Sequence, residues 1–218
     1  MQFDLFDSGS NTILGSATYQ EFKEQLVASN CTKCGLHAGR THIVVDRGSP
    51  AAPVMVIGEG PGEQEDRQGK AFVGRAGQLF DQIMNAVGID TNQDMLIANV
   101  VKCRPPDNRS PHGDEAAACL PFLKRQIELV RPRIILLLGA TALKHFDKSK
   151  SNFQMSEEAG KFFTLSDFSS IQFMVLYHPA ALLYNAKLKP AMWQHAKTLR
   201  HYLDRHGLLE AQRRKVAH

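Results

Sequence analysis

Short apolar rows alternate along this chain with stretches in which apolar residues return every three or four positions. Pro53-Val54-Met55-Val56-Ile57 is one such row; it runs into glycines and reads as a buried strand. Arg75 to Val87 carries Leu79, Ile83, Met84 and Val87 at helical spacing. Met95 to Val101 predicts a second strand. Asp114 to Val130 predicts a helix with an acidic first turn, although Pro121 argues against its continuity. Arg133 to Leu138 is a third strand. Its unbroken row Ile134-Ile135-Leu136-Leu137-Leu138 implies burial on both faces, as in a parallel sheet between helix layers. Thr141 to Phe146 starts another helix, Ile171 to Tyr177 forms a fourth strand, and Pro190 to Leu203 is a final helix with proline near its start. This order predicts a three-layer α/β/α fold around a central, mostly parallel four-stranded sheet.

In such sheets ligands bind beyond the carboxyl ends of the strands. The polar segments fall there: Gly58-Glu59-Gly60-Pro61-Gly62 after the first strand, Asn99 near the end of the second, and His178-Pro179 after the fourth. The 218 residues suit one domain of ordinary size. We expect an N-terminal arm over residues 1–20, a single domain over 21–208 and a basic tail over 209–218, with Arg213-Arg214-Lys215 at its heart.

Composition narrows the class without fixing it. With 43% hydrophobic and 22% charged residues the chain resembles ordinary globular proteins. No apolar run nears the roughly 20 residues that span a bilayer. The start, MQFDLFDSGS, lacks a basic region followed by an apolar stretch. The expected setting is the cytoplasm, with no membrane partner. The net charge of +4 is compatible with nucleic acid but does not demand it.

The cysteines are more specific. Cys31 and Cys34 form a C-x-x-C pair, while Cys103 and Cys119 must be brought in by the fold. A reducing compartment disfavours disulfides. Four thiolates suit zinc or an iron–sulphur cluster; the alternative is one incidental pair and two buried thiols.

A set of motifs recurs in one order: C31-T-K-C34, G58-E-G-P-G-E-Q-E-D66, F72-V-G-R-A-G77, N99-V-V-K-C-R-P-P106, Cys119 and H178-P-A-A-L-L183. In these the chain resembles the family 4 uracil-DNA glycosylases over about Cys31 to Tyr202. The resemblance implies a uracil-DNA glycosylase-like fold and a [4Fe–4S] cluster on Cys31, Cys34, Cys103 and Cys119, with zinc the alternative metal. It also implies base excision: uracil is flipped from DNA and its N-glycosidic bond hydrolysed, leaving an abasic site. By position, Phe72 would stack on the flipped base, and Asn99 would accept from uracil N3–H and donate to O4. His178 would donate to O2 as negative charge develops. Glu59 would organise the attacking water or face the sugar cation. Gly60 and Gly62 would let the backbone approach the base. Glu65 would sit near the uracil 5-position, where a methyl group must be excluded.

DNA grip is expected from Arg75, Lys102 and Arg104 on phosphates, and from Leu182, Leu183 and Tyr184 as an apolar wedge filling the vacated space. The chain departs from the family in places. Other glycosylase families carry aspartate at the position of Gly60, so the general base is open. Many family members have serine and arginine where this chain has Ala180 and Tyr184. A related branch traps uracil-DNA covalently through a histidine in a basic insert; D107-N-R-S-P-H-G-D114 keeps His112 but lacks the lysine-arginine run. The expected form is a monomer acting on single- or double-stranded DNA. The competing readings are a binding module for uracil or damaged DNA without turnover, and a phosphate-binding enzyme. The second is disfavoured because the glycine-rich loop lacks the lysine and hydroxyl of a P-loop. Separately, Gln2-Phe3-Asp4-Leu5-Phe6 resembles the short peptide by which bacterial replication proteins bind the sliding clamp, through two apolar anchors in a groove.

Overall fold

A computed structural model describes residues 12–150 and 152–209. The clamp-like motif Gln2–Phe6 and the basic tail from residue 210 onward lie outside the described residues.

Four apolar rows make the parallel centre of the sheet: β2 (Val54–Gly58), β3 (Met95–Asn99), β4 (Ile134–Leu138) and β6 (Gln172–Leu176). Two strands of two residues each complete it, β1 (Arg47–Gly48) and β5 (Phe162–Phe163). The order is β1-β3-β2-β4-β6-β5, with β1 antiparallel to β3 and β5 antiparallel to β6. Among the described residues the sheet therefore has six strands where four were expected. The two additions are too short to leave an alternating pattern in the sequence.

Side chains alternate across each central strand. Val54, Val56, Ile134, Leu136, Met174 and Leu176 enter one core, and Met55, Ile57, Ile135, Leu137, Phe173 and Val175 enter the other. The first core is covered by Phe80 and Met84 of α3 (Arg75–Ala86) and by Met192, Ala196 and Leu199 of α8 (Lys189–Arg205). The second is covered by Ala116, Leu123 and Ile127 of α4 (Gly113–Val130) and Ala142 and Leu143 of α5 (Gly139–Phe146). These are the three predicted layers. Helix α4 runs unbroken through Pro121. Pro121 and Ala117, whose carbonyl the proline leaves without an N–H, both lie on the exposed face, where water can bond that carbonyl.

A third, smaller cluster joins Phe22 and Leu26 of α1 (Tyr19–Ala28) to Ile43, Val45 and Phe122. Beneath it the buried Asp46 accepts from Tyr19 Oη at 2.7 Å and from Lys23 Nζ at 2.7 Å, which pins α1 to the chain entering β1. None of the described helices is long and apolar enough to cross a membrane. Strand β2 lies between β3 and β4, so the connections leaving it diverge and open a crevice at the carboxyl ends.

Candidate active site

That crevice is a cleft of about 470 Å³, lined among others by Glu59, Gly60, Glu65, Phe72, Arg75, Arg109, His178, Leu183 and Tyr184. Loops after β2 and β6 thus meet in one cavity. Glu59 follows β2 directly. Helix α2 (Glu63–Gln68) then turns the loop back, and the buried Asp66 fixes it by accepting from the Thr41 and His42 N–H groups at 2.9 and 3.2 Å.

Asn99 ends β3 in register with Gly58 of β2. It is 1% exposed, and neither its Nδ2 nor its Oδ1 has a hydrogen-bond partner among the described residues. A Cβ on Gly58 would lie 2.5 Å from Asn99 Oδ1 and 2.7 Å from the Phe72 ring. Only glycine fits there, and its absence of side chain lets the amide and the ring approach each other. Asn99 therefore stands immediately behind the cleft, next to Phe72, with its polar atoms unspent.

Phe72 is held in the left-handed region, at φ 55°. A non-glycine residue there is strained by about 1–3 kcal/mol and persists only where its surroundings fix it. Helix α3 supplies that hold: a Cβ on Gly77 would fall 2.0 Å from the Phe72 carbonyl oxygen, so the helix rides directly on this backbone. Glu65 fastens the same segment by accepting from the Gly74 N–H at 2.7 Å.

His178 caps α7 (Pro179–Tyr184): its Nδ1 accepts from the Ala180 N–H at 3.2 Å. A neutral imidazole accepting at Nδ1 carries its proton on Nε2, so that nitrogen is the donor left for a ligand. Burial pushes the imidazole below the ordinary histidine value, against the opposing fields of Glu59 and Glu65. Its ring centroid lies 5.8 Å from that of Phe72. His145, near the end of α5, feels the same Glu59 charge and is likewise lowered by burial. Glu59 and His178 thus share the cleft, and burial disfavours the charged form of the imidazole.

Two expected DNA contacts are corrected. Lys102 is 1% exposed and donates to the Asn99 carbonyl at 2.8 Å, so it reaches no phosphate. Leu182 is also 1% exposed and packs in the core, because successive residues of α7 turn by about 100°. Leu183 and Tyr184 face outward; Tyr184 is 91% exposed. Arg104 is half-buried and donates to Asn108 Oδ1 at 2.8 Å, at the cleft edge.

Arg109 and His145 escaped the sequence reading. Arg109 donates to both oxygens of the buried Glu115, at 2.8 and 2.7 Å, while its own side chain lines the cleft. These bonds hold the Glu115 carboxyl down at about 2, so the pair stays charged throughout the neutral range. The signal was present: Glu115 stands in the first turn of α4, where it also accepts from the His112 N–H at 2.7 Å.

All four cysteines line a second, small pocket, together with Arg40 and Lys102. Arg40 Nη1 reaches Cys103 Sγ at 3.4 Å and the Cys31 carbonyl at 2.6 Å. Burial raises the Cys103 thiol and pushes Cys119 up to about 12, so these groups become thiolates only when a metal replaces the proton. No group of three or more described His, Cys, Asp or Glu side chains converges closely enough to hold a single metal ion.

This sheet with its cleft is the architecture of a known class, and the model of the uracil DNA glycosylase superfamily matches residues 45–199. Among individual proteins, the chain is 40% identical to the type-4 uracil-DNA glycosylase of Sulfurisphaera tokodaii over 83% of each chain. It is 43% identical to that of Saccharolobus solfataricus, covering 74% of this chain and 76% of the relative. With that of Thermotoga maritima the identity is 50%, over 55% of this chain and 62% of the relative. The chain belongs to the type-4 uracil-DNA glycosylase family.

Proposed function

We propose that the protein excises uracil from DNA by hydrolysing the N-glycosidic bond, leaving an abasic site for base excision repair. The observation that carries this reading is the buried, unpartnered amide of Asn99 beside Phe72. Two unsatisfied polar atoms in the interior cost about 1–3 kcal/mol each, a cost that a bound pyrimidine edge removes.

The extruded base stacks on Phe72, where base–aromatic contact contributes ~1–3 kcal/mol. Asn99 accepts from uracil N3–H and donates to O4; cytosine offers the reverse pattern and leaves the amide unpaired. As the bond breaks, negative charge grows on the ring, and His178 Nε2–H meets it at O2. Glu59 faces the sugar, where it stabilises cationic character and orients water. The neutral imidazole beside it leaves its charge unneutralised.

The cysteine pocket fits a [4Fe–4S] cluster on Cys31, Cys34, Cys103 and Cys119. Four thiols share one pocket, the donor set that such a cluster takes, with zinc the alternative metal. When bound, the cluster ties the segment before β1 to the β3–α4 connection; the cleft chemistry requires no electron from it.

The functional test is incubation with matched oligonucleotides containing uracil, hypoxanthine, xanthine or thymine, followed by alkaline cleavage. Uracil strands are expected to be cut. Uracil strands left intact by wild type, as by His178→Ala, would refute the reading.

Two further outcomes are expected. Because burial keeps His178 neutral below the ordinary range, single-turnover rates are expected to stay level as pH falls through about 6.5 and to decline only below that. A decline centred at or above the ordinary histidine value would contradict the assigned tautomer. Arg109, braced by Glu115 at the cleft wall, is placed to contact a phosphate. Arg109→Ala is expected to weaken uracil-containing and undamaged strands alike and to reduce the salt slope of binding by about 1. Fluorescence anisotropy over a salt series reads this directly.

A further inference from the structure

One buried charge has no part in the chemistry above. Lys102 is enclosed in the interior, and a buried ammonium is costly unless acceptors and opposite charges surround it. Its Nζ donates to the Asn99 carbonyl at 2.8 Å. Burial works against its charge, and Asp46, whose field favours it, is already bonded to Lys23 and Tyr19. The Lys102 main chain is committed too: its carbonyl accepts from the Val44 N–H at 2.8 Å, and its N–H donates to the Cys119 sulphur. One residue thus touches a cysteine of the metal pocket and the residue that reads the base.

We propose that Lys102 is a positioning residue that couples the cysteine site to the base-reading amide. Its ammonium serves as counter-charge to the metal-bound thiolates and fixes the peptide from which the Asn99 side chain projects. The inference rests on the reading of Asn99 given above. The sign of the charge favours it. A dication core, whether a [4Fe–4S] unit or zinc, leaves a net double negative charge on four thiolates. Lys33, Arg40 and Lys102 line the pocket, and of these Lys33 is exposed, Arg40 Nη1 reaches Cys103 Sγ at 3.4 Å, and Lys102 alone is fully buried. A lysine retained only for packing would be replaceable by methionine with no change in metal retention or in choice of base.

The test compares metal-loaded wild type with Lys102→Met, which keeps the length of the side chain and removes its charge and donor. Should circular dichroism show that Lys102→Met does not fold, Lys102→Gln takes its place. The first measurement is the rate of metal loss to a chelator. The second is the ratio of cleavage of uracil strands to cytosine strands. Metal loss at least about tenfold faster and a selectivity ratio at least about tenfold lower are expected together. If either quantity stays at its wild-type value in the folded variant, the coupling is wrong. Asn99→Ala runs beside it. Unchanged selectivity in Asn99→Ala sinks the base-reading assignment itself. Lost selectivity there, with wild-type selectivity in the lysine variant, sinks the role of Lys102 alone.

Discussion

His178→Ala is expected to slow uracil release by about 10²–10³-fold, the usual effect of removing one donor aimed at a developing anion. The fold should survive. The imidazole is half-buried at the cleft, and its one hydrogen bond caps a helix of six residues. Losing such a cap costs about 1 kcal/mol. Single-turnover cleavage at saturating enzyme separates the chemical step from binding, and the loss is expected in that rate, with affinity for uracil strands little changed. A rate within about threefold of wild type would move the anion-stabilising role elsewhere in the cleft.

Asn99→Asp is expected to have the second large effect, on choice of base as well as rate. The carboxylate still accepts from uracil N3–H but has nothing to donate to O4, and it sets a negative charge against that oxygen. Cytosine presents an amino group at the same place, which a carboxylate accepts. The ratio of uracil to cytosine cleavage is therefore expected to fall by about 10²-fold or more. Parallel single-turnover assays on matched strands measure it. An unchanged ratio would mean that the buried amide is not what reads the pyrimidine edge.

Legibility from sequence followed the physics that fixes each feature. The four central strands stood out because burial on both faces demands unbroken apolar rows, as in Ile134 to Leu138. Strands β1 and β5 did not, because two residues carry no period. Helix α1 was missed: it buries only Phe22 and Leu26 and is held largely by Asp46 bonds that no local pattern reveals. Glu59, Phe72 and His178 were readable from their motifs and share one cleft. Orientation within a motif was harder. Leu182 and Leu183 look alike in the sequence, but helical rotation sends one inward and leaves the other 40% exposed. Lys102 follows Val100 and Val101 in a buried run, and that apolar context outweighed the habit of placing lysine at the surface. Arg109 was lost among loop residues because its partner, Glu115, lies in the following helix.

The short outer strands also bear on how the molecule behaves in a crowd. A long open strand is a template on which another chain can add itself, the first step toward aggregates. Among the described residues the outer strands of the sheet are two residues long, Arg47–Gly48 on one side and Phe162–Phe163 on the other. On the second rim the Phe162 ring is held by stacking on Tyr202 at 4.8 Å. Concentrated solutions should accordingly resist growth by strand addition, because the ladders that could seed it end almost as soon as they begin.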